Sequence, residues 1–162
     1  MSRKVSPIFY AISGTLLAAL ILMLIPLPDW AGPWRPDWLA ITLIYWAMAR
    51  PEHLGVGIAW LLGLLVDVVY GTLLGQYALG FAILAFITIR FHTRARNYPI
   101  HQQAMFVGVT LLPYMSILLW IQGIQGIQGE DPKSWTYWAP VLTSMLMWPI
   151  VYKVLRAVRK AS

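Results

Sequence analysis

Apolar and polar residues fall in blocks along this chain and do not alternate. Six apolar runs, at 8–25, 38–49, 55–69, 73–89, 104–121 and 138–155, are separated by short polar joints, several of them holding Pro or Gly. A run of about 18–20 apolar residues is what a helix needs to cross a bilayer. In lipid a helix satisfies its own backbone hydrogen bonds, and long apolar blocks between short polar joints are the pattern of a polytopic helical protein. The pattern therefore predicts an all-α, polytopic membrane protein, a single transmembrane domain over residues 1–162 with six spans.

The second and third runs test that reading, because they hold only 12 and 15 residues. As helices they reach ~18 and ~22 Å, against a hydrocarbon core of roughly 30 Å. Charge decides between six spans and fewer. Six spans put Arg3, Lys4, Arg50, Arg90, Arg94, Arg96, Lys153, Arg156, Arg159 and Lys160 on one side and leave Arg35 and Lys133 on the other, ten against two. Basic residues collect on the cytoplasmic side, so both termini are expected in the cytoplasm. Merging the short runs would set Arg90–Arg96, part of a basic loop expected over Arg90 to His101, and the basic C-terminus on opposite sides. Asp29, Asp37, Glu130 and Asp131 all fall on the outer side. Trp30, Trp34, Trp38, Trp120, Trp135 and Trp138 fall near that interface, where tryptophan anchors helices.

Composition narrows the class further. With 59% hydrophobic and 11% charged residues, the chain is not a soluble globular domain. Its net charge of +6 sits at the ends of apolar runs, which explains it as orientation without nucleic acid. The absence of cysteine excludes a disulfide framework and thiolate chemistry. Arg3-Lys4 before the first run resembles a signal peptide, but Pro26-Leu27-Pro28-Asp29 follows where a small-residue cleavage site would be, so an uncleaved first span is expected. Pro113, Pro140 and Pro149 lie within spans and should bend them. Ile121 to Gly129 is a threefold Ile-Gln-Gly repeat, read as an outer loop.

One carboxylate lies deep in an apolar run. Asp67 sits within Gly63-Leu64-Leu65-Val66-Asp67-Val68-Val69-Tyr70-Gly71, and a charge at such depth is costly enough that it faces protein and has partners. Gly55, Ala59, Gly63, Asp67, Gly71 and Gly75 are four apart, so on a helix the first four line a smooth stripe open to another helix. Backbone N–H groups near a tight turn at Tyr70–Thr72 are the expected donors to Asp67, with Thr72 and Tyr70 as local side-chain candidates. On that view Asp67 is a structural anchor, and Asp67→Asn should be mild. On the cytoplasmic face Arg90, Arg94 and Arg96, with Arg156, Arg159 and Lys160, form two basic clusters suited to anionic lipid or to a docking partner.

Catalytic parts are missing. There is no phosphate-binding loop, no His pair at zinc spacing, no base within the spans for Ser13, Ser116 or Ser144, and no second carboxylate beside Asp67. No catalytic residue, cofactor or metal site is expected, and the chain reads as a non-enzymatic scaffold or binding subunit.

Arg35-Pro36-Asp37-Trp38-Leu39, Ile44-Tyr45-Trp46-Ala47, Pro51, Gly55-Val56-Gly57-Ile58-Ala59-Trp60 and Gly63 to Gly75, in that order and spacing, with Trp148-Pro149 before a basic tail, closely resemble the MreD family of bacterial rod shape-determining membrane proteins. The resemblance implies an inner-membrane subunit of the elongation machinery (the elongasome) that supports peptidoglycan synthesis and cell shape. It would bind MreC, which has one membrane span, beside MreB, RodZ, RodA and its penicillin-binding transpeptidase. The family is also similar in fold to the S components of energy-coupling-factor transporters, so a substrate-binding subunit for a vitamin-like molecule is the alternative. The Ile-Gln-Gly repeat is not part of the resemblance.

Overall fold

The structure, a computed structural model, describes residues 6–126 and 135–162. Arg3, Lys4, Lys133, Glu130, Asp131 and the last Ile-Gln-Gly unit lie outside them. The described residues form six helices and no strand: α1 Pro7–Leu24, α2 Trp38–Ala49, α3 Val56–Tyr70, α4 Gln76–Asn97, α5 Ile100–Ile124 and α6 Trp135–Ala161, with a single 3₁₀ turn, Gly32–Trp34, before α2. Helices α1, α4, α5 and α6 are long and apolar enough to cross a membrane, and α3 is a shorter apolar helix.

The shortest helix is the centre of the bundle. Eleven of the twelve residues of α2 are buried. It is apolar on every side, as a helix surrounded by protein must be, and α1, α4, α5 and α6 pack around it. Its length is set by its neighbours and not by lipid. Asp37 caps its start, accepting from Ala40 N–H at 3.2 Å. Trp46 ties it to α1 by donating from Nε1 to Thr15 Oγ1 at 2.8 Å. Helix α3 packs mainly against α4, α4 against α5, and α5 against α6. The ring is open between α1 and α3 except at one end, where Tyr70 reaches Met23.

Contacts at the helix ends show that the chain runs up and down through all six helices. At one end Tyr70 of α3 donates to Met23 O of α1 (3.3 Å), Gln125 after α5 meets Gln76 of α4 (3.5 Å), and Tyr137 of α6 donates to Met115 O of α5 (2.9 Å). At the other end Gln103 of α5 donates to Ala95 O of α4 (3.2 Å) and accepts from Trp148 Nε1 of α6 (3.4 Å), while the Arg159 guanidinium lies 5.9 Å from the Tyr45 ring of α2. Among the described basic residues Arg35 is at the first end. Arg50, Arg90, Arg94, Arg96, Lys153, Arg156, Arg159 and Lys160 are toward the second. Trp34 and Trp135 pack at 5.4 Å at the first end, and Trp30 and Trp120 stand exposed there.

The helices exceed the apolar runs where polar residues remain good helix formers. The segment expected as a basic loop, Arg90 to His101, is nearly all helix: α4 continues to Asn97 and α5 begins at Ile100. Arginine has high helix propensity, and Arg94 and Arg96 in the last turn of α4 complement its dipole. Only the extended residues Tyr98 and Pro99 separate the two helices. In the same way α6 runs through its basic end to Ala161, and α4 starts at Gln76 and not at Leu73. Helices α5 and α6 continue through Pro113, Pro140 and Pro149.

Candidate functional site

The α3–α4 joint is built on Asp67. It lies in the last turn of α3, 1% exposed, and reaches across to the first turn of α4. Oδ1 accepts from Thr72 Oγ1 at 2.8 Å and from Tyr77 N–H at 2.9 Å; Oδ2 accepts from Gly75 N–H at 2.9 Å and from Ala78 N–H at 3.4 Å. A helix start leaves such N–H groups without partners and attracts negative charge. The carboxylate thus sits unfavourably at the C-terminus of its own helix and favourably at the N-terminus of the next. Gly71 at φ 65° and Gly75 at φ 105° supply left-handed turns on either side of the link, positions that other residues rarely adopt. Tyr70, a candidate partner by sequence, points instead to α1.

The small-residue stripe meets α4 of the same chain. Ala59, Gly63 and Asp67 are buried, and at Gly63 the backbone of Tyr77 and Ala78 comes so close that a Cβ would lie 2.3 Å from Ala78 Cα. Gly55 precedes α3 in open space.

Beyond this joint, at the tryptophan-bearing end, is a cavity of about 240 Å³. Its wall includes Arg35, Asp37, Tyr70, Tyr77, Tyr114 and Tyr137, drawn from the segment before α2 and from α3, α4, α5 and α6. Arg35 is committed to the end of α1, donating to Met23 O at 2.6 Å and to Ile25 O. The Asp37 backbone N–H donates to Ser144 Oγ at 3.1 Å, which ties the segment to α6. Burial pushes the Asp37 carboxyl above the ordinary carboxylate range; the Ala40 N–H and the nearby Tyr114 hydroxyl pull it partly back. Among the described residues the ion pairs are Glu52 with Arg50 and Glu52 with His53, so Asp37 has no cationic partner there.

A second cavity, about 290 Å³ and almost wholly apolar, fills the opening of the ring. Phe9, Leu16 and Leu17 of α1 and Ile58, Leu62 and Leu65 of α3 form its sides, with Leu39 of α2 also contributing.

The two basic clusters stand at the other end. Arg90 and Arg94 frame a surface hollow with Phe91 and Thr93, and Arg156, Arg159 and Lys160 close α6. Gln103, which the sequence reading passed over, is buried between the helices that carry them. Among the described residues no group of three His, Asp or Glu is placed to hold a metal.

Comparison with known proteins yields one consistent result. The family model described as rod shape-determining protein MreD matches residues 2–158. The rod shape-determining protein MreD of Haemophilus influenzae is 26% identical over 155 residues, which span 94% of this chain and 92% of that protein. No solved structure matches.

Proposed function

We propose a function from one premise: the chain belongs to the MreD family of rod shape-determining proteins. It acts as a non-enzymatic scaffold of the rod complex in the bacterial inner membrane, holding the single span of MreC. MreB, RodZ, RodA and the penicillin-binding transpeptidase are its further partners in that complex. The observation that carries the reading is the family match over residues 2–158, nearly the whole bundle. The geometry agrees with it through the opening between α1 and α3. An apolar face on both sides and a floor from the central helix suit close packing of one more hydrophobic helix, which in lipid is driven by shape and dispersion.

The test is copurification of MreC from detergent. Leu17→Trp and Leu65→Trp, one on each side of the opening, should lower recovered MreC several-fold. Leu146→Trp, on an exposed face of α6, should leave it unchanged. Equal recovery with all three would remove the opening as the docking place.

We also propose that both termini are cytoplasmic. The asymmetry of basic residues supports this, eight to one among those described. Reporter fusions should read periplasm after Lys133 and cytoplasm after Ser162. A periplasmic C-terminus would overturn the orientation.

A further inference from the structure

We propose that the cavity at the tryptophan-bearing end binds the ammonium group of a small organic cation, with Asp37 as its counter-charge and tyrosine rings as its walls. The cavity, about 240 Å³, has the volume of roughly eight waters. That suits a headgroup-sized ligand and not a peptide strand. Four of its lining residues are tyrosines, and Tyr70 and Tyr77 stack at 5.9 Å between centroids. Aromatic faces are electronegative and attract ammonium groups, most strongly where water is excluded. The acidic group that would supply the counter-charge is Asp37. Asp37 lines the cavity, accepts from the Ala40 N–H beside the Tyr114 hydroxyl, and has no cationic partner among the described residues.

Other ligand classes fit less well. An anion would meet the Asp37 carboxyl, and the Arg35 guanidinium beside it already donates to two carbonyls at the end of α1. A divalent metal ion needs more hard oxygen ligands than one carboxylate and neutral phenols supply. A purely apolar ligand would leave the carboxyl without a counter-charge. The position near the tryptophans puts two sources of ammonium within reach: a phosphatidylethanolamine headgroup and a free amine.

The experiment uses the full chain in nanodiscs of phosphatidylglycerol, with thermal unfolding followed as choline or ethanolamine is added. Choline is compared with its uncharged isostere 3,3-dimethylbutanol. The amines should raise the unfolding temperature and the isostere should not. Asp37→Asn retains a good helix cap and removes the acidic group, and should weaken the amine effect by about tenfold or more. Should that variant fail to fold, Tyr70→Leu, which removes a half-exposed wall, should weaken it as well. Repeating the titration in phosphatidylethanolamine discs separates the sources. Loss of the amine effect there assigns the site to the lipid headgroup, and persistence assigns it to a free amine. Equal stabilisation by choline and its isostere, an undiminished response in the folded variant, or no response to either amine in phosphatidylglycerol discs would overturn the proposal.

Discussion

Replacing Gly63 by alanine should destabilise this protein sharply, although alanine is the better helix former by about 1 kcal/mol. A Cβ there would lie 2.3 Å from Ala78 Cα, 2.5 Å from Ala78 N and 2.5 Å from Tyr77 O. All three are backbone atoms, so no rotamer change relieves the clash, and α3 and α4 must separate. Overpacking of this kind costs typically 1–3 kcal/mol. Here separation also pulls Asp67 away from the N–H groups of Tyr77 and Ala78, so the upper end of that range is expected. Gly57, on the same helix with nothing within 4 Å of its Cβ position, is the control. Gly57→Ala should be neutral or slightly stabilising. Thermal unfolding in detergent and membrane abundance should separate the two variants clearly. Equal stability would mean that the α3–α4 contact is looser than this geometry.

The six helices were legible because each carries its own apolar run, and in lipid such a run has few alternatives to a helix. Which helix lies at the centre was not. The run of α2 is the shortest, and its lack of a polar face is shared by spans that face lipid on one side; only packing distinguishes them. Asp67 stood out by its depth in an apolar run, and its donors lie within eleven residues. Asp37 did not stand out, since an acid beside a span on the outer side reads as ordinary loop. Its companions Tyr70, Tyr77, Tyr114 and Tyr137 come from four helices, with no local spacing to link them. The same limit hid Gln103, a buried bridge among α4, α5 and α6. The end of α4 was misjudged for a different reason. Hydropathy ends a span at its first arginine, whereas a helix continues as long as its residues favour it.

At Asp67 the geometry reverses the mild outcome expected for asparagine. Three of the four groups bonded to the carboxylate are backbone N–H donors, which cannot turn round to accept, and they are divided between its two oxygens. An amide has one oxygen. With that oxygen toward Thr72 and Tyr77, its NH₂ meets the N–H groups of Gly75 and Ala78; turned over, it meets that of Tyr77. Each buried donor left without an acceptor costs about 1–3 kcal/mol. Asp67→Asn should therefore lose at least that much, and Asp67→Leu, which orphans all three N–H groups, more. The ordering Asp, Asn, Leu should appear in thermal unfolding and in membrane abundance, with loss of rod shape following abundance. A carboxylate that serves as a proton or cation relay predicts something else, an asparagine variant that is abundant and thermally normal yet inactive. Wild-type stability in Asp67→Asn would show that the link between α3 and α4 does not depend on the second carboxylate oxygen, and the structural account of Asp67 would fail.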